Sequence, residues 1–152
     1  KEDLATKVAE NWTATTGQFF AEAAYHDPED PFDRVIAYVQ FRKQILRGKI
    51  PEFTCLVGTL VQETYGSSES IRAACEESIF SHAQSLESDI SAAKDRYVPD
   101  ATWSPESLAR YFQVTIQGAF ILAKASGESS LAWEALDHLE NYVRLLFQRK
   151  NS

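Results

Sequence analysis

Residues 104–148 read SPESLARYFQVTIQGAFILAKASGESSLAWEALDHLENYVRLLFQ, and this stretch decides the fold. Ser104-Pro105 is a helix start, a capping hydroxyl followed by proline at the first helical position. Gly127-Glu128-Ser129 separates the helix that follows, to about Ala125, from a last one over about Ser130 to Gln148. Both helices carry apolar residues on two faces. In the first, Leu108, Phe112, Thr115, Ala119 and Leu122 share one side, while Tyr111, Val114, Gly118, Ile121 and Ala125 share another. In the second, Leu136, Leu139, Val143 and Leu146 form one side, with Leu131, Ala135, Tyr142 and Leu145 beside them. One face packs on the home domain. A second, left in water, exceeds the apolar patch a monomer tolerates. A two-fold dimer solves this by joining two helices from each subunit in a four-helix bundle. The residues expected at that interface are Tyr111, Gly118, Ile121, Leu122, Ala125, Leu136, Leu139, Tyr142, Val143 and Leu146. The other reading, in which both faces are ordinary core of one all-α domain, stays open at this point.

Working outward, four earlier helices follow from periodicity, and no convincing strand is found. The first spans about Lys1 to Tyr25, with Leu4, Val8, Trp12, Thr15, Phe19 and Ala23 at helical spacing. His26-Asp27-Pro28 breaks it. The second starts at Asp30-Pro31 and ends at Arg47-Gly48, apolar on most sides and therefore central. Lys49 to Phe53 is a link containing Pro51, and a short helix covers Thr54 to Tyr65. A long fourth helix covers Glu69 to Arg96, its stripe running Ile71, Cys75, Ile79, His82, Leu86, Ile90, Ala93 and Tyr97. The fold class is therefore all-α, with six helices in one domain over residues 1–152.

The 152 residues carry a net charge of −7, with 44% hydrophobic and 12% aromatic residues. That composition supports a real core and excludes disorder. An acidic domain is a poor partner for nucleic-acid phosphates, so any DNA contact belongs to a further part of the protein. Two cysteines make no disulfide scaffold and no CxxC motif, which suits a reducing, cytoplasmic setting. No apolar run is long enough to cross a membrane, and no signal peptide is expected from the opening Lys1-Glu2-Asp3.

The aromatic supply also suits a pocket for an apolar ligand. Trp12, Phe19, Tyr38 and Phe41 are candidates to line it, although plain core packing is the commoner role of any one aromatic. Gln113 and Gln117 sit four apart amid apolar residues, where an amide can orient a ligand, bond across a dimer or face water. Cys55 opens a short helix with Thr59 one turn on. A helix N-terminus favours a thiolate, which raises electrophile sensing as a role, whereas a buried cysteine more often acts as a small hydrophobe. His82 reads as a hydrogen-bonded pocket or core histidine rather than a metal ligand. Glu22 with His26 and Glu134 with His138 read as surface pairs, and no cluster with metal-ligand spacing is present. No cofactor is expected. Glycine-serine elbows, phosphate loops and zinc-protease motifs are absent.

Several segments resemble TetR-family transcriptional regulators. Lys1-Glu2-Asp3-Leu4 is similar to the junction where that family's helix-turn-helix passes into its connecting helix. Cys55-Leu56-Val57-Gly58-Thr59-Leu60 with Glu63 is similar to the opening of a short helix in many members, and Ile71-Arg72-Ala73-Ala74-Cys75 to the start of the next. Gln117-Gly118-Ala119-Phe120-Ile121-Leu122-Ala123-Lys124-Ala125-Ser126-Gly127 resembles a late segment, and Ala135-Leu136-Asp137-His138-Leu139 the closing helix. The resemblance implies the effector-binding and dimerisation domain of a one-component repressor, with the DNA-reading domain expected upstream of residue 1. It implies a homodimer, a small hydrophobic or aromatic effector between the middle helices, and operator DNA bound only through that upstream domain. An all-helical enzyme or small-molecule carrier, and a dimerisation module without ligand, remain the alternatives.

Overall fold

The computed structural model describes residues 2–149, all helix and connecting loop with no strand among them. The elements are α1 (Glu2–Ala21), α2 (Pro31–Gln44), α3 (Ile50–Phe53), α4 (Leu56–Thr64), α5 (Glu69–Gln84), α6 (Glu87–Tyr97), α7 (Pro105–Ser126) and α8 (Ser130–Leu146), with a 3-10 turn at Ala24–His26. Lys1, where the sequence reading starts the first helix, lies outside the described residues.

The starts read from sequence are made by side chains. Asp30 accepts from the backbone N–H of Phe32 at 2.8 Å and of Asp33 at 3.4 Å, ahead of Pro31. Ser104 accepts from Ser107 N at 3.1 Å. Each cap satisfies donors that a helix N-terminus leaves open.

Two segments depart from the six-helix expectation. The long fourth helix divides at Ser85-Leu86 into α5 and α6. The cause is a change of hydrogen bonding without proline or glycine: Leu86 N donates to Ala83 O at 3.0 Å, a three-residue step. The Ser85 hydroxyl donates to His82 O at 2.7 Å, satisfying a carbonyl that the break frees. The expected stripe still runs across the break, with Ile71, Cys75, Leu86, Ile90 and Ala93 all buried. The second departure is the link at Pro51, which winds into the one-turn α3. It follows Gly48, whose φ of +81° is left-handed, and a Cβ at that position would come within 2.0 Å of Glu52 Oε2. The glycine leaves room for Glu52 to fold back and accept from Lys49 N at 3.1 Å.

The main core lies between α2, α6, α7 and α8. Phe32, Tyr38, Phe112, Ile116, Leu136, Leu139, Val143 and Phe147 are essentially sealed from solvent there. A smaller cluster joins α1 and α4 to α5 through Ala9, Val57, Ile71 and Cys75. This cluster corrects the face read for α1. Leu4, Val8 and Phe19 are exposed, whereas Ala9 and Phe20 are buried. Ala9 has no side chain beyond Cβ, so it allows close approach to α5, while Leu4 and Val8 turn outward.

The faces of α7 and α8 divide into core and surface, with Leu122 exposed although the sequence reading sets it on one side with the buried Leu108, Phe112 and Ala119. Leu136, Leu139 and Val143 belong to the subunit's own core and not to an interface, a correction to the reading above. Their side of α8 is the one that covers α2 and α7, so nothing of them is left for a partner. Tyr111, Val114, Ile121, Leu122, Tyr142 and Leu145 are exposed, and Ala125 lies on the same surface stripe. The rings of Tyr111 and Tyr142 meet at 5.1 Å, joining the two stripes into one surface. Gly118 lies mid-stripe, and Leu146 is half-buried at its edge.

Candidate functional site

A cavity of about 230 Å³ opens among α1, α2, α3, α4, α5 and α7. Helix α1 contributes Trp12, Thr16, Phe19 and Phe20 to its wall. Arg42 and Ile45 come from the end of α2, Phe53 and Glu52 from α3, and Thr54, Cys55 and Val57 from the entry to α4. Ser78, Ile79 and His82 line it from α5, and Gln113, Gln117 and Phe120 from α7. Two recesses adjoin it. One of about 190 Å³ shares Cys55, Gln117 and Phe120 and adds Thr59 and Lys124, whose ammonium donates to the Thr59 hydroxyl. The other, about 200 Å³, shares Thr16, Phe20, Ser78 and His82. The cavity by itself is a little smaller than the pockets that enclose drug-sized ligands, roughly 300–1,000 Å³, and so suits a small guest.

Six of the expected ligand residues meet at this cavity: Trp12, Phe19, Cys55, His82, Gln113 and Gln117. Thr59 lines the adjoining recess. Tyr38 and Phe41 do not line the cavity. Tyr38 is fully buried behind the wall, and Phe41 packs on Phe19, Phe20 and Tyr25 with ring centroids 5.5–5.6 Å apart. Both act as a second layer that holds Phe20 in place. Two wall residues carry chemistry that the sequence reading missed, Arg42 and Phe20. Arg42 follows Tyr38 by four and precedes Ile45 by three, so helical spacing sets its cation on an apolar face. That was the available signal, obscured because a basic residue in the last turn of a helix is also ordinary surface chemistry.

The polar groups are few and mostly tied. Cys55 caps α4, its Sγ accepting from Gly58 N at 3.3 Å. Gln117 lies directly over Gly58, where a Cβ would come within 2.1 Å of its Oε1, so this glycine lets α4 and α7 close on one another. Burial pushes the Cys75 thiol up, away from reactive thiolate. His82 Nε2 and the Tyr38 hydroxyl are hydrogen-bonded at 2.9 Å, and the imidazole lies against the Phe20 ring at 4.4 Å. Burial first, and the Arg42 cation second, lower the His82 pKa to about 3, so the ring is neutral at physiological pH. His26 does not pair with Glu22. Its Nε2 is bonded with Phe20 O at 3.1 Å, and Glu22 accepts instead from Gln18. Among the described residues no group of three or more His, Cys, Asp or Glu converges on a metal site.

The His82 environment sets an acid limb of stability. In the unfolded chain its ring titrates near 6.5, and in the folded protein near 3. Between those values the unfolded chain binds the extra proton. This contribution is therefore whole above about pH 6.5 and is lost as the pH falls toward 3, by roughly 1 kcal/mol per pH unit. His82→Gln, whose carbonyl can still accept from Tyr38, is expected to flatten that limb in thermal melts between pH 4 and 7. An unchanged slope would show that other groups govern it.

A family model described as "Transcriptional regulator LmrA/YxaF-like, C-terminal domain" matches residues 31–132, more than half of the chain. The chain belongs to this TetR-type family. No curated protein and no solved structure matches it. The match starts at the first residue of α2 and ends at the third residue of α8, so it takes in the cavity walls from α2, α3, α4, α5 and α7. In this LmrA/YxaF-like domain no described helix is long and apolar enough to cross a membrane.

Proposed function

We propose that the domain senses a small, largely apolar effector in this cavity and dimerises through α7 and α8, acting within a cytoplasmic one-component regulator whose DNA-reading part precedes α1. The observation that carries the reading is the make-up of the wall. Four of its residues, Trp12, Thr16, Phe19 and Phe20, come from α1. A guest therefore touches the helix nearest the start of the chain and can bias its position. That bias counts only as far as the guest binds two arrangements of α1 with different affinity. A change of α1 in each subunit alters how two heads meet operator half-sites about one helical turn apart. The joined apolar stripes of α7 and α8 supply the two-fold contact that couples the heads, with Tyr111, Gly118, Ile121, Leu122, Ala125 and Tyr142 at its centre.

Sensing fits the wall better than catalysis. The one imidazole in it is bonded with Tyr38, which lies outside the cavity, and the thiol of Cys55 accepts from backbone. No nucleophile in the wall is hydrogen-bonded to a base among the described residues, a pairing that nucleophilic catalysis requires.

A thermal-shift screen of aromatic and alkyl compounds tests the reading. A ligand at a hundred times its dissociation constant adds about 2.7 kcal/mol, or roughly 5–10 °C in a domain of this size. Hits are expected to quench Trp12, with the quench lost in Trp12→Phe. A screen without hits, or a quench that survives that substitution, overturns it.

A further inference from the structure

The cavity wall holds one buried cation that no carboxylate answers among the described residues. Arg42 is only 9% exposed and lines the wall. Its guanidinium lies over the Phe20 ring at 5.1 Å and the Phe120 ring at 5.8 Å. Seven ion pairs join the described residues, and Arg42 is in none of them. The acid on the same wall, Glu52, is turned toward Lys49 N. A guanidinium stays charged even when buried, and a buried charge without a partner is costly. Two ring faces offset part of that cost, but they supply no hydrogen-bond acceptor.

A second group points the same way. Gln113 is 7% exposed, and its Nε2 is the one fully buried side-chain nitrogen or oxygen among the described residues without a hydrogen bond. Gln113 and Arg42 both lie within hydrogen-bonding reach of the Tyr38 hydroxyl, which is also bonded with His82 Nε2; one hydroxyl oxygen cannot answer five guanidinium N–H groups and an amide. The Gln113 amide and the Arg42 guanidinium thus stand beside one another on the cavity wall with more N–H donors than the Tyr38 oxygen can accept. A neutral hydrocarbon would leave them unmet, and a cation would be repelled. A planar anion meets both, because a carboxylate accepts two parallel N–H bonds from a guanidinium and has lone pairs to spare for an amide.

We propose that the effector is a monoanionic acid whose carboxylate pairs with Arg42 and accepts from Gln113 Nε2, while its apolar body lies among Trp12, Phe20, Phe53 and Phe120. This rests on the small-ligand reading above and narrows it to one class.

Matched probes separate the two. Benzoate, 2-naphthoate and octanoate are titrated into the protein by calorimetry, each beside its neutral primary amide. At least one acid is expected to bind about ten- to a hundredfold more tightly than its amide, the worth of one charge-assisted contact. Arg42→Met is expected to bring that ratio close to one. Without ligand, this variant is expected to melt no lower than the parent, since an unanswered charge has been replaced by an apolar chain of similar length. If acid and amide bind equally to the parent, the anion assignment falls and the small-ligand reading stands. If amides bind and acids do not, the assignment falls in the same way. If none of the six binds, both fall. If Arg42→Met keeps the preference for the acid, the charge that selects it lies elsewhere and the assignment to Arg42 is overturned.

Discussion

Leu122→Glu is expected to convert the protein from dimer to monomer while leaving each subunit folded. Leu122 is 59% exposed in the isolated subunit, so its replacement removes little from the core. In the proposed bundle it sits mid-stripe with Ile121 and Ala125, and two-fold symmetry introduces every substitution twice. Two carboxylates placed in an apolar interface must be desolvated without partners, which costs several kcal/mol for each. The dimer dissociation constant should rise by about a hundredfold or more, with each 1.4 kcal/mol worth a factor of ten. Sedimentation at micromolar concentration should then give a single species of monomer mass with unchanged helical circular dichroism. Leu139→Glu is the contrasting variant. Leu139 is buried within the subunit, so that change should unfold the protein rather than split it. A parent protein that sediments as a monomer at high concentration, or a Leu122→Glu variant that stays dimeric, removes the α7–α8 surface from the account.

The contrast between Leu122 and Leu139 marks how far periodicity reaches. Spacing shows that α7 and α8 each carry two apolar faces. It does not show which face their own domain claims, because Leu, Val and Tyr suit either side. The same limit explains α1. Leu4, Val8 and Phe19 outweigh Ala9 in any hydrophobic pattern, yet close packing on α5 selects the alanine. Features set by local chemistry were readable: the Asp30-Pro31 and Ser104-Pro105 starts follow from donors that must be capped. The break at Ser85-Leu86 was not, since a one-step change in hydrogen bonding leaves no proline or glycine behind. Within the cavity, Cys55, His82, Gln113 and Gln117 could be named because apolar helices carry few polar residues and those few need a reason, and Trp12 and Phe19 because aromatic rings suit the wall of an apolar pocket. Arg42 escaped because its role depends on what does not surround it.

The largest loss of stability from removing a single side chain is expected at Phe112, where α7 meets α2. Its ring is wholly enclosed and lies 5.9 Å from that of Tyr38. Phe20 is the other candidate, but it faces the cavity, and a guest or water can occupy the space its ring would leave. Phe112 has no such outlet. The void beside it, bounded by Tyr25, Arg34, Val35, Leu86 and Ile90 among others, measures only about 10 Å³, about room for one water. Tyr38 cannot swing in to fill the gap, because its hydroxyl is held by His82. Phe112→Ala should therefore leave most of the ring's volume empty and cost about 3–5 kcal/mol. That is a large share of the 5–15 kcal/mol typical of a domain, and it lowers the melting point by about 10 °C or more. Phe112→Leu, which keeps most of the volume, should lose far less. Urea unfolding of all three proteins at one protomer concentration gives the comparison, with an equal slope confirming that only stability has changed. A loss under about 1 kcal/mol for the alanine variant would mean that α2 and α7 close over the gap. Gln113, next in the chain, would then not be held rigidly enough to present a fixed donor to the cavity. The stability of Phe112→Ala and the acid selectivity at Arg42 and Gln113 are in this way two readings of one helix contact.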